Sequence, residues 1–211
     1  MIGSPFSLPE SKAHFEVARA CLDYLLLQEF SSGWCATSEM DDRMVRYPLL
    51  HYAAEHWAFH VMNSNAEQDL QPLILRLMDP LRTPHFLFWI QIILRSQFGL
   101  ARQIAQPLYY AASYGLTETV RSLVQAGARL DDKAGRFGGT ALHAACYRGH
   151  PDIARFLLEA GADYTIQYVN GATAWNLCGW MGDQEIAELF QKRDKFAMAN
   201  FRFGSLTLNT M

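Results

Sequence analysis

Charge is scarce in this 211-residue chain, and it nearly balances: 18 Lys and Arg stand against 21 Asp and Glu, a net charge of −3. That balance makes no polybasic footprint, so neither nucleic acid nor an anionic membrane surface is an expected partner. Long apolar runs are missing as well. The longest, Phe86 to Leu94, is interrupted by Gln91 and is too short to span a bilayer. Cysteine is sparse. Cys21, Cys35, Cys146 and Cys178 form no close pair, which argues against a disulfide scaffold and for reduced thiols. The opening Met1-Ile2-Gly3-Ser4-Pro5 lacks the basic-then-apolar build of a secretory signal. The expected setting is therefore the cytoplasm, with the nucleus as the other choice. There is no Gly-x-x-x-x-Gly-Lys-Ser/Thr loop, no Gly-x-Ser-x-Gly elbow, no Cys-x-x-Cys and no dinucleotide fingerprint. No cofactor is expected.

What the chain does have is self-similarity. The run Gly139-Thr140-Ala141-Leu142-His143-Ala144-Ala145-Cys146-Tyr147-Arg148-Gly149-His150 is followed by Ile153, Phe156-Leu157-Leu158 and Gly161-Ala162-Asp163. Thr140 suits a helix N-cap, and Gly149 suits the left-handed residue that ends the helix. Pro151 suits the first position of a second helix, whose apolar face is Ile153, Phe156 and Leu157. The small residues Ala145 and Cys146 let the paired helix come close. The same grammar recurs one period of ~33 residues earlier, at Pro107 to Gly115, and one period later, at Thr173 to Gly182. Tyr109 and Asn176 stand in those copies where His143 stands in the middle one. The pattern resembles ankyrin repeats. That resemblance implies stacked helix pairs that present a recognition surface.

Residues 1–105 read as helical but do not follow this period. An amphipathic helix is expected over Ser11 to Phe30, with Phe15, Ala18, Leu22, Leu25 and Leu26 on one face. A short helix is expected after Ser38 and a longer one from Pro48. Asn63-Ser64-Asn65 reads as a loop. Helices around Leu73–Met78 and across Phe86–Ser96 follow. The segments Phe15-x-x-Ala18-x-x-Cys21-Leu22-x-Tyr24-Leu25, Glu29-Phe30-Ser31-Ser32-Gly33-x-Cys35 and Tyr47-Pro48-Leu49-Leu50-x-Tyr52-Ala53-Ala54-x-x-Trp57 resemble the stretch before the ankyrin array in fungal NACHT–ankyrin proteins. Those are signal-transducing ATPases of the STAND, NLR-like kind. The resemblance implies a sensor-type role, but the phosphate loop of their ATPase core is absent from this chain.

The expected architecture is thus an all-α ankyrin solenoid of about three repeats. Residues 1–105 form an irregular helical cap, residues 106–191 the repeats, and residues 192–211 a tail packed back on the array. The expected function is non-catalytic binding of a protein partner through the groove and the turn tips. The residues expected to carry it are Tyr114, Arg136, Phe137, Tyr147, Arg148, Tyr168 and Trp180, since interfaces favour aromatic and arginine anchors. The alternative is a small-molecule site, or a cofactor-free isomerase or cyclase, where cap meets repeats. Its polar groups would be His56, His60 and Tyr110, in a pocket with Tyr52, Trp57 and Tyr109. His56 and His60 share a helix face, but His51-x-x-x-Glu55-His56 does not match a zinc-protease spacing, and no metal is expected. The missing phosphate loop gives one direct test. Calorimetry with ATP and Mg²⁺ should show no saturable binding to this chain, and a saturable isotherm would overturn that expectation.

Overall fold

The computed structural model describes residues 8–79, 81, 83–95, 106–133, 138–181 and 184–193. Eleven α-helices and no sheet are present among them. The first five are α1 Glu10–Leu25, α2 Thr37–Arg46, α3 Leu50–Ser64, α4 Glu67–Leu77 and α5 Pro84–Arg95. Three helix pairs follow: α6 Pro107–Tyr114 with α7 Thr117–Gln125, α8 Ala141–Arg148 with α9 Pro151–Glu159, and α10 Ala174–Met181 with α11 Gln184–Arg193. First helices pack on first helices, α6 on α8 on α10. Second helices pack on second helices, α7 on α9 on α11. This is the all-α repeat solenoid that the periodicity predicts.

The middle pair shows how the repeat closes. Leu142, Ala145 and Cys146 are fully buried, as are Ala154 and Leu157. Gly149 ends α8 in the left-handed conformation (φ 72°), and Pro151 opens α9. Gly115 ends α6 in the same way (φ 80°) and has a second duty. A Cβ there would sit 2.7 Å from His150 Cε1. The His150 ring occupies the space the missing side chain leaves, with Nε2 3.4 Å from the Ser113 carbonyl oxygen. Only glycine meets both demands. Gly182, the corresponding residue of the last repeat, and the tail from residue 194 lie outside the described residues.

The N-terminal helices differ from the sequence expectation at their ends. α1 stops at Leu25, and a 3-10 turn at Gln28–Phe30 follows in place of a helix running to Phe30. α2 opens at Thr37, before the Ser38 expected to cap it. α3 runs on through Asn63 and Ser64, and only Asn65, at φ 55°, breaks it. α4 begins at Glu67 and keeps Pro72 inside it, where the ring removes one backbone hydrogen bond. The core of this half is aromatic. Trp57, Trp89, Phe30, Phe86 and Phe88 are fully buried. Phe30 stacks on Phe88 at 4.6 Å, and Trp89 Nε1–H donates to the Ala54 carbonyl at 2.9 Å. Gln91, the interruption in the longest apolar run, has a structural role. Its side-chain amide accepts from the Cys35 N–H (2.9 Å) and donates to the Cys35 carbonyl (2.6 Å), closing the loop before α2 onto α5.

The α3–α4 pair seats the N-terminal half on the first repeat. α4 packs beside α7. Trp57 of α3 and Trp89 of α5 meet the ring of Tyr114 on α6 at 6.1 and 6.2 Å. The polar tie is Glu67. Its carboxylate accepts the Thr119 N–H and the Thr119 hydroxyl, both at 2.7 Å, and the Glu118 N–H at 3.3 Å. Those amides are first-turn donors of α7, which have no partner inside their own helix. A negative charge at a helix N-terminus is favourable as well. Gln71 Oε1 is a second acceptor for the same hydroxyl hydrogen at 3.2 Å, and the Gln71 amide donates to Ser122 Oγ at 3.3 Å. Glu67→Ala removes the charged acceptor from two first-turn amides and leaves the Thr119 hydroxyl to Gln71. It should cost about 1–3 kcal/mol in a urea titration and raise amide exchange at Glu118 and Thr119. An unchanged midpoint and unchanged protection would show that apolar packing alone holds the seam.

Candidate functional site

The first helices of the repeats carry the residues expected to face a partner, and the structure sorts them. In α8 the six residues from Ala141 to Cys146 are buried, whereas Tyr147 is 50% exposed and Arg148 is exposed. Burial over six consecutive positions spends the rest of the helix on the stack. Tyr147 and Arg148 remain as its outward groups. The guanidinium lies 5.8 Å from the Tyr147 ring centroid, so the two side chains form one cationic–aromatic unit.

Tyr114 is a different case, and the expectation of a free groove residue needs correcting. Its ring is half-buried against Trp57 and Trp89, because the N-terminal half covers the first repeat on that side. Burial pushes its hydroxyl up to about 12, an effect that Arg148 partly opposes and Glu55 reinforces. Tyr168 is half-buried too. It lies 5.3 Å from the His143 ring, over Gly139, where a Cβ would come within 2.8 Å of it. It braces a turn and is partly exposed. Arg136, Phe137 and the side chain of Trp180 lie outside the described residues.

Under this face sits a buried polar clasp. The N–H of Thr140 donates to His143 Nδ1 at 3.2 Å, and the Thr140 hydroxyl lies 2.9 Å from the same nitrogen. Since the backbone can only donate, Nδ1 is the bare nitrogen and Nε2 carries the hydrogen. Nε2–H faces the backbone of Ala172 and Ile166 in the next turn without closing a hydrogen bond. In the last repeat Asn176 Oδ1 does the same work. It accepts from the Thr173 N–H at 2.8 Å and from the Thr173 hydroxyl at 2.9 Å. In the first repeat Tyr109 packs against Tyr110 at 5.5 Å instead.

The alternative site residues are not gathered into one place. His60 and His56 lie with Tyr52 on one side of α3. Tyr52 Oη is 2.7 Å from His60 Nε2, and the Tyr52 and His56 rings are 4.7 Å apart. Tyr110 packs with Phe86 and Trp89, at 6.1 and 5.3 Å, and Trp57 is fully buried near Trp89. The sequence reading missed two things here. Phe59 (57% exposed) and Met62 (41%) stand outward on α3, on the side that also carries His51, Glu55, His56 and Asn63. His14 joins His60 across 46 residues of chain, a distance no local spacing reveals. Among the described residues no group of three or more His, Cys, Asp or Glu side chains is placed to hold a metal ion. No described helix is long and apolar enough to cross a membrane.

Comparison with known proteins fits this geometry. A family model described as ankyrin repeats matches in three copies, over residues 91–168 and 108–197. The chain is 32% identical over 75% of its length to azaphilone pigments biosynthesis cluster protein L of Monascus ruber, covering 36% of that protein. It is 42% identical over 34% of its length to ankyrin repeat and SOCS box protein 16 of Mus musculus, covering 16% of it. It is 37% identical over 36% of its length to the mouse protein fem-1 homolog A-like, covering 13%. The chain thus spans little more than a third, or less, of these relatives.

The clasp has a consequence in pH. Burial holds His143 down to about 4, well below its ordinary 6.5, and the facing backbone offsets this only in part. The folded state therefore refuses a proton that the unfolded state accepts. Stability is full above the unfolded value and is lost as pH falls towards 4. The loss from this one group between pH 7 and pH 5 should be about 2 kcal/mol. In His143→Asn, which copies Asn176, that part of the pH dependence should vanish while the fold persists. Urea titrations of both proteins at the two pH values check it, and an equal loss in the variant would assign the effect elsewhere.

Proposed function

Because this chain belongs to the ankyrin-repeat family, we propose that it is a non-catalytic recognition module that binds a protein partner through Tyr147 and Arg148. One observation carries the reading. These two residues are the outward end of a helix otherwise given over to the stack, so they offer contact area the fold does not need. A large aromatic beside an arginine is the side-chain pairing that dominates interface energetics. The half-exposed Tyr168, and Arg136, Phe137 and Trp180, are proposed to extend the surface, and Tyr114 to contribute its outer edge. The likeness of the N-terminal half to NACHT–ankyrin proteins favours a cytoplasmic sensor arm. In that role the array reads a partner and the remainder of a longer protein responds.

A second reading draws support from the M. ruber relative, whose name places it in a pigment biosynthesis cluster and whose match takes in most of this chain. On that reading the ligand is a small molecule, and His56, His60 and Tyr110 are its polar contacts. His56 and His60 keep company with Tyr52 on α3, while Tyr110 on α6 packs with Phe86 and Trp89, which weighs against a single pocket built from all three.

A photo-crosslinking amino acid placed at position 147 should trap the partner, which then serves as the ligand for affinity measurements. Tyr147→Ala and Arg148→Ala should each weaken its binding by about 1–3 kcal/mol, the range for central anchors. The melting temperature should hardly move, because neither side chain is in the core. Variants that unfold with unchanged affinity in the folded fraction would make these residues structural. Recovery of a small metabolite in place of a cross-linked protein would decide for the second reading.

A further inference from the structure

The contact between α1 and α3 carries a row of hydrogen-bonded side chains that neither the stack nor the face of α8 uses. It runs from Tyr52 Oη to His60 Nε2 at 2.7 Å, and from His60 Nδ1 to His14 Nδ1 at 2.7 Å. Glu10 stands beyond hydrogen-bond reach of it, with Oε1 3.9 Å from His14 Nε2. His60 is buried and His14 half-buried, so this is part of the interface between the two helices. With His60 Nδ1–H as the donor to His14 Nδ1, His60 Nε2 accepts from the Tyr52 hydroxyl and each ring carries one hydrogen.

The space between the two Nδ1 atoms holds one hydrogen. One proton can be added without breaking the row: His60 Nε2 takes it and donates to the Tyr52 oxygen, whose hydroxyl hydrogen turns away. A second proton has no such place. On His14 Nδ1 it sets N–H against N–H and leaves two cationic rings with centroids 4.9 Å apart. We propose that the His14–His60 pair is an acid-released latch: taking up the second proton parts α1 from α3 while the repeat array stays folded. Release would uncover the apolar side of α1, built from Ala18, Cys21, Leu22 and Leu25.

The neighbours set the direction of the response. Burial, then His14, then His56 hold His60 below its ordinary value. On α3 the remaining titratable groups are Tyr52 within the row and the His51–Glu55 pair, 3.4 Å apart. On α1 the exposed Glu10 stands 3.9 Å from His14 Nε2. α4 and α5 also pack on α3, and among the described residues neither places a hydrogen bond or ion pair on these two rings. A group whose folded value is lowered keeps its contribution above the unfolded value and loses it as pH falls. The latch is closed at neutral pH and opens on acidification.

Hydrogen-exchange mass spectrometry on the full chain at about pH 7.5 and pH 5, corrected for intrinsic rates, tests it. Opening of α1 should rise by roughly tenfold more than that of α8, a comparison that cancels whatever His143 does to the whole array. In His14→Asn the side-chain oxygen still accepts from His60 Nδ1–H but cannot titrate, and the excess should disappear. Histidine NMR resonances of the unaltered protein give a second measure that needs no variant. His14 and His60 should titrate together with the α1 amides. Parallel loss of protection in α1 and α8, an unchanged excess in His14→Asn, or imidazole titration with silent α1 amides would each overturn the latch.

Discussion

The carboxylate of Glu67 stands where the molecule would otherwise have an open end. A stack of helix pairs buries its apolar faces only between neighbours, so the first and last pairs each leave a side uncovered. At the first repeat the groups in need of cover are specific: the flank of α6, and first-turn amides of α7. α3 and α5 cover the flank with Trp57 and Trp89, and Glu67 takes the amides. The tie also stiffens the place where Glu67 itself sits. α4 contains Pro72 and so loses a backbone bond near its start, and the Thr119 contacts hold that weakened first turn from outside. The N-terminal half is therefore fastened to the array by the same carboxylate that completes α7.

Inside the array, one requirement is met by two chemistries. The residue three places after the turn threonine has to accept two hydrogen bonds in a dry site. His143 does it with Nδ1 and Asn176 with Oδ1. The amide meets the requirement without titrating. The imidazole meets it only while neutral, and burial holds it neutral well below its ordinary value.

The repeats were legible because each period carries its own punctuation: a cap, a small pair, a glycine, then a second apolar face. Gly115, Gly149 and Pro151 act where they stand, and no distant residue has to be known to place them. The N-terminal half was legible as helices but not in its limits. The start of α4 depends on α7, and the reach of α3 through Ser64 depends on a hydroxyl–backbone bond to Val61 and a left-handed Asn65. Outward placement was legible at Tyr147 and Arg148, whose exposure is a property of α8 alone. It was not legible at Tyr114, which is outward with respect to its own repeat and covered by a segment more than fifty residues earlier in the chain. Tyr168 fails for the same reason on a smaller scale, since only the missing Cβ of Gly139 lets its ring lie down.

The covering of Tyr114 joins the two halves through its ring. Trp57 of α3 meets that ring edge-on at 6.1 Å, and Trp89 of α5 meets it tilted at 6.2 Å. At neutral pH the phenol is uncharged, and burial raises its value further, so what it gives the seam is ring contact. A first-helix position that a lone repeat would turn to solvent is thereby given to attachment of the N-terminal half. In the next repeat, among the described residues, no such cover reaches Tyr147 and Arg148, which stay exposed.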